Sequence, residues 1–204
     1  MGRDGKATRD KILTESKALI YENGFAGTSV DLILEKTGIT KGAFYYHFKT
    51  KAELAFVLVN DFATTDLQEL DRVMEKTEQY AERPKQRLLE FVQCFIDMFS
   101  GQEEPPNCLY ASVSNEQNQY SEEIKEAVAE TIIKWRNAFE VMIDKVLETQ
   151  TPKIEFDKVA MSDHFTVVME GAFIVSKAIN DPTVTAKQLT LYKNYLGLLF
   201  DEGN

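Results

Sequence analysis

The chain has 204 residues, a formal net charge of −10 at pH 7, two cysteines and two histidines. That length can bury a real core in one large or two small domains. Cys94 and Cys108 are too few for a disulfide framework and too far apart for a metal knuckle. With so few histidines and cysteines, no nucleophile–base pair, carboxylate dyad or metal-ligand spacing is legible, so neither an enzyme nor a cofactor is expected. The opening MGRDGKATRDK has no apolar leader, and Lys6 stands where myristoylation wants Ser or Thr. No run approaches the ~18 apolar residues of a membrane span, so the expectation is a reduced, cytoplasmic protein without a membrane partner.

Apolar residues recur at spacings of three and four, and period-two alternation is absent, so the fold class is all-α with about nine helices. Helix one is expected from about Thr8 to Asn23, with Ile12, Leu13, Leu19 and Ile20 inward and Gly24 as its stop. Thr28-x-x-Asp31 resembles a capping box opening helix two, and Gly38 breaks that helix. Thr40 can cap helix three, and Thr50-x-x-Glu53 opens a long helix that continues towards Glu78. Arg83-Pro84 restarts the chain into a helix with Leu88, Phe91, Val92, Phe95 and Phe99 on one face. After a loop at 101–107, helices are expected at about Leu109–Gln117, Ser121–Glu148, Asp157–Ile179 and Thr185–Phe200. A boundary near residue 50 divides a small head (1–50) from a larger helical body (51–204).

Charge follows the same division. Residues 1–51 hold nine Lys/Arg against six Asp/Glu, a net of +3, so the remainder carries −13. A basic head on an acidic body lets one end approach phosphates while the rest is repelled.

The segment 28–51, TSVDLILEKTGITKGAFYYHFKTK, has two short helical patterns around the Thr37-Gly38 turn. That is the pattern of a helix-turn-helix whose second helix enters a DNA groove. Thr40 can offer its hydroxyl and backbone N–H to a phosphate. Lys41 is the long cation at the leading edge, and Gly42 lets backbone approach the bases. Tyr45, Tyr46 and His47 present donors along the next turn, and Lys51 places an ammonium at the start of the next helix. Phe44 and Phe48, four apart, belong to the head's own core.

Gly38-Ile39-Thr40-Lys41-Gly42-Ala43-Phe44-Tyr45-Tyr46-His47-Phe48-Lys49-Thr50-Lys51, with Leu54 beyond, resembles the signature of the TetR family of bacterial transcriptional regulators. Asn23-Gly24-Phe25 and Gly27-Thr28-Ser29-Val30 are similar to the family's opening. The resemblance covers about a quarter of the chain. It implies DNA contact by Thr28, Ser29, Thr40, Lys41, Gly42, Ala43, Tyr45, Tyr46, His47 and Lys51. Ala43, where relatives often carry Thr or Asn, removes one polar contact and shifts readout towards a thymine methyl or DNA shape.

The resemblance also implies a homodimer, a palindromic double-stranded operator, and a small effector that releases a repressor from it. The long helix from Thr50 would then respace the two heads when effector binds. Phe91, Phe95, Met98, Phe99, Tyr110, Trp135, Phe139, Met142, Phe165 and Met169 suit a pocket for a lipophilic or aromatic effector. The same residues equally suit an ordinary helical core. The dimer interface is expected at Phe173, Ser176, Leu189, Tyr192 and Leu196, on the last two helices. Cys108, in Asn107-Cys108-Leu109, offers an alternative in which thiol modification is the switch, although Glu103 and Glu104 oppose a thiolate. A reading from another class is an acidic helical protein-interaction adaptor. Steep salt dependence of duplex binding separates the regulator from the adaptor.

Overall fold

A computed structural model of the chain describes residues 3–200. Nine α-helices carry the described residues, with no strand among them: α1 Arg3–Gly27, α2 Val30–Thr37, α3 Lys41–His47, α4 Lys51–Thr77, α5 Pro84–Phe99, α6 Leu109–Asn115, α7 Glu122–Leu147, α8 Lys158–Ile179 and α9 Val184–Leu199. Short 3₁₀ turns follow α4 (Glu78–Tyr80) and α6 (Gln117–Gln119). The expected order of elements is present. The largest boundary difference is α1, which begins five residues before Thr8 and is broken at Gly24 (φ 71°, ψ 172°) rather than stopped there.

The chain forms two compact units that are not consecutive in sequence. Of the described residues, the first contains 3–65 and 108–130; the second contains 66–107 and 131–200. The division falls inside α4 and α7, and the segment around α6 joins the head. A cut at residue 50 therefore marks the end of the three-helix part and not the edge of a compact unit.

In the first unit, the buried apolar residues Ile12, Leu19, Ile20, Ile33, Phe44, Phe48, Leu54 and Leu58 come from α1 to α4, as the heptad-like spacing of each helix requires. α6 and the start of α7 add Leu109, Val113 and Ile124. The Phe62 and Tyr110 rings meet edge to face at 4.9 Å. Tyr110, expected in the effector pocket, thus belongs to the unit that holds the head.

The second unit is built on α5, α7, α8 and α9. Its centre is aromatic: Phe91, Phe95, Trp135, Phe139 and Phe165 are all buried, with ring centroids 4.7–6.5 Å apart. Phe139 and Trp135 both stack on Phe165. Each such pair contributes about 0.5–1.5 kcal/mol beyond its buried area. The Trp135 indole N–H donates to Asp66 Oδ2 at 2.8 Å. Arg136 on α7 grips Asp163 on α8 with two bonds, at 2.7 and 2.8 Å. α8 ends on Asn180 in the left-handed region (φ 52°), where the Asp181 N–H donates back to the Ser176 carbonyl.

Candidate nucleic-acid interface

The region 24–51 is assembled from three helix ends. After the break at Gly24, the Thr28 hydroxyl donates to the Gly24 carbonyl at 2.8 Å and the Thr28 N–H to the Phe25 carbonyl at 3.2 Å. Ser29 then caps α2, its oxygen accepting from the Leu32 N–H at 3.1 Å. α2 ends at Gly38 in the left-handed region (φ 66°), whose N–H donates to the Leu34 carbonyl. Thr40 caps α3 by accepting from the Ala43 N–H at 3.2 Å. At the head of α4, Thr50 accepts from the Glu53 N–H, and the Glu53 carboxylate accepts from the Lys49 N–H at 2.7 Å.

α3 has only seven residues, so its own hydrogen bonds cannot hold it. Phe44 fastens it: the side chain has 0% exposure, within 6.1 Å of the Phe48 ring. Arg9 of α1 covers Phe48 from 5.4 Å. With Phe44 inward, the opposite edge faces solvent. Lys41 and Gly42 are exposed, Tyr45 moderately so, and Tyr46 is 69% exposed. Ala43 and His47 are half-buried; the His47 Nδ1 is buried without a hydrogen-bond partner. A Cβ on Gly42 would meet no protein atom nearer than Thr40 Oγ1 at 4.0 Å, so nothing inside the chain requires glycine there.

Two expected contact residues are placed differently. Thr28 is 1% exposed with its hydroxyl spent on Gly24, which removes that side chain from any phosphate. Ser29 is exposed, and its hydroxyl hydrogen remains available to donate. Lys51 is half-buried; its ammonium donates to the Phe25 carbonyl and lies 4.0 Å above the Phe25 ring. Burial holds the Lys51 pKa below the ordinary lysine range, opposed by the nearby Glu116 carboxylate. Glu116, from the turn after α6, accepts the N–H groups of Phe25 and Ala26. Sequence reading missed it because its partners lie about 90 residues away, and no local pattern marks it.

These features are those of a helix-turn-helix, and the comparison with known sequences agrees. Residues 12–58 match the profile of bacterial regulatory proteins of the tetR family, and residues 84–191 match the tetracyclin repressor-like C-terminal domain. The chain belongs to the TetR family. It is thus a DNA-binding helix-turn-helix transcriptional regulator, and the family's members are regulators rather than enzymes.

Among relatives, an HTH-type transcriptional regulator in the lacX 3′ region of Lactococcus lactis is 43% identical over 54 residues, which is 26% of this chain and 28% of that protein. The HTH-type transcriptional regulator LmrA of Bacillus subtilis is 27% identical over 177 residues, covering 86% of this chain and 89% of that one. The fold is shared with the reduced form of E. coli NemR (TM-score 0.71, 19% identity, covering 92% and 96% of the two chains). It is also shared with a TetR regulator from Chloroflexus aurantiacus (TM-score 0.73, 21% identity, 96% of each chain).

The body residues read from the sequence also have definite places. Phe91, Phe95, Trp135, Phe139, Met142 and Phe165 are buried against one another, while Met98, Phe99 and Met169 are half-buried around them. The volume expected to hold an effector is therefore filled by the protein's own rings. A cleft of about 390 Å³ does reach the edge of this core, lined by Leu67, Leu70, Asp71, Met74, Lys134 and Ala138, none of which was expected there.

The expected interface set is likewise displaced. Leu189 and Leu196 are 0% exposed, Tyr192 is buried, and Ser176 is buried with its hydroxyl donating to the Asp181 carbonyl. These four side chains pack inward, and only Phe173, at 5.3 Å from Phe99, keeps partial exposure. The exposed large apolar residues of α8 and α9 are Val159, Val167, Ile174, Val175, Ile179, Leu191 and Leu198. Neither Cys94 nor Cys108 is in a disulfide; Cys94 is buried and Cys108 half-buried at the N-cap of α6. No helix among the described residues is long and apolar enough to cross a membrane.

Glycine at position 42 yields a prediction with opposite signs. Gly42→Ala is expected to stabilise α3 by up to about 1 kcal/mol, yet weaken duplex binding at least tenfold by adding a methyl group on the groove side. Thermal unfolding and fluorescence anisotropy measure the two effects. Unchanged DNA affinity would mean that backbone at position 42 does not approach DNA.

Proposed function

We propose that the chain is a dimeric repressor that binds a palindromic operator through α3 and is released by a small lipophilic or aromatic effector. The observation that carries the DNA part is the division of α3 into a buried anchor, Phe44, and an exposed edge of Lys41, Gly42 and Tyr46. Lys41 offers the one long cation of α3 to a guanine or a phosphate. Ser29 and Thr40, at the N-termini of α2 and α3, flank it as phosphate donors. The net charge of +3 over residues 1–51 favours approach of this end to DNA.

Dimerisation is supported by the apolar rows on α8 and α9. Val167, Gly171, Ile174 and Ala178 follow a 4-3-4 spacing along the exposed side of α8, and Ile174 is 63% exposed. Leu191 and Leu198, seven apart on α9, are 61% and 65% exposed. Isolated exposed apolar residues are ordinary, but two such rows on adjacent packed helices suit burial against a second copy. A two-fold dimer reads two half-sites related by the same axis.

For the effector, the supporting observation is the Tyr192 hydroxyl, buried among His164, Phe165 and Tyr195 without a hydrogen-bond partner. Burial drives its pKa well above the ordinary tyrosine value, so it stays neutral. An unsatisfied buried hydroxyl costs about 1–3 kcal/mol. A ligand that slides between the rings and supplies one polar atom recovers that cost. The release step is a shift of population between DNA-competent and incompetent arrangements of the heads.

The operator is tested by selecting bound duplexes from a random pool; an inverted repeat is expected, and a set of sequences without dyad symmetry would contradict the dimeric reading. Ile174→Glu is expected to convert the dimer to monomer in sedimentation and to reduce affinity for the selected duplex more than tenfold. A dimer that persists in this variant would move the interface elsewhere. Tyr192→Phe, which removes the orphan hydroxyl and keeps the ring, is expected to raise the urea midpoint in the absence of ligand by the equivalent of about 1 kcal/mol. A lower midpoint would mean that the hydroxyl is already satisfied.

A further inference from the structure

Beyond the exposed edge of α3, one carboxylate outside the helix-turn-helix organises the residues that flank it. Where α1 breaks at Gly24, the N–H groups of Phe25 and Ala26 lose their helical acceptors. Glu116, between α6 and the following 3₁₀ turn, supplies both acceptors. Its Oε1 accepts from Phe25 N–H at 3.0 Å and its Oε2 from Ala26 N–H at 2.7 Å. Hydrogen bonds to a charged acceptor are roughly twice as strong as neutral ones. Glutamine could not do the same: one of its two terminal groups is itself a donor and would face an N–H.

The surroundings are fitted to this clasp. A Cβ at Gly24 would lie 2.4 Å from Glu116 Oε1, and the positive φ of Gly24 also selects glycine. Four residues on, the Tyr120 ring packs against the Phe25 ring at 4.5 Å. The Tyr120 hydroxyl meets Ser112 Oγ at 3.3 Å, tying it back to α6.

Phe25 is thereby a hub. Its N–H goes to Glu116, and its carbonyl accepts from Lys51 Nζ and from the Thr28 N–H. Thr28 leads directly into Ser29, the cap of α2, while Lys51 opens α4. We propose that Glu116 is a positioning residue for DNA binding: by clasping the 24–26 turn it sets both Ser29 and the Lys51 ammonium where the duplex backbone meets the head. The proposal rests on the reading of α3 and its flanks as the DNA-contacting edge.

The test uses the full-length protein and the duplex that wild type selects from a random pool. Glu116→Gln is expected to lower affinity for that duplex about tenfold. The slope of log affinity against log salt should become shallower by about one phosphate contact per head. A purely structural role would lower the melting temperature while leaving affinity and slope of the folded protein unchanged, and that result overturns the proposal. Lys51→Met should weaken wild type clearly but cost much less in the Glu116→Gln background; additive losses would also overturn it. Should Glu116→Gln fold poorly by circular dichroism, Gly24→Ala attacks the same clasp from the other side, and it should show the same shallower slope. Wild type that selects no duplex would overturn the DNA reading itself and the clasp's role with it. Wild type that binds, beside a variant indistinguishable from it, would overturn the clasp alone.

Discussion

The burial of Phe44 is the interaction on which the rest depends. A seven-residue helix is far below the length at which helices persist in water. It exists here because a phenylalanine in its middle is wholly buried and its ends are capped by Thr40 and followed by Phe48. Burying such a side chain contributes about 1.5–3 kcal/mol, a term that the same seven residues alone in water would lack. The same anchoring decides orientation. With position 44 inward, positions 41, 42, 45 and 46 have nowhere to go but outward. The core thus chooses which edge is presented to solvent, and that edge carries one cation, one gap and two phenols.

The body follows a different logic. Its centre is a packed aromatic set, in which each ring excludes water from its neighbours. Such a core resists small adjustments, because close-packed interiors respond to added volume by switching arrangement more readily than by stretching. The buried, unpartnered Tyr192 hydroxyl is a polar defect in that set. Under the proposed function, that defect is the feature a ligand would repair, and a signal requires such a difference in affinity between two arrangements.

Much of the fold was legible because it is written in local chemistry. Thr40, Thr50 and Gly38 act where their capping and turn preferences put them, and Pro84 opens α5. Phe44 and Phe48 are inward, as a spacing of four implies. What failed was decided by tertiary context. Thr28 can cap outward or bond inward with equal local ease, and it bonds inward to Gly24. Lys51 does place its ammonium at the start of α4, but tertiary packing draws that ammonium over the Phe25 ring and onto the Phe25 carbonyl, which no local pattern announces. On α9 the periodicity identified an apolar face at Leu189, Tyr192 and Leu196, but that face is the chain's own core; Leu191 and Leu198 form a second row. A helix with two apolar faces does not announce which one is for itself. Aromatic abundance could not tell a cavity from a filled core, and Glu116 had no local signature at all.

The central claim is that DNA is met by the edge of α3 and the helix ends beside it. Backbone hydrogen exchange, measured with and without the selected duplex, tests it most directly. Slower exchange should be concentrated in residues 25–30 and 40–51, with α8 and α9 unchanged. Protection confined to the body, with α3 exchanging as in the free protein, would contradict the account.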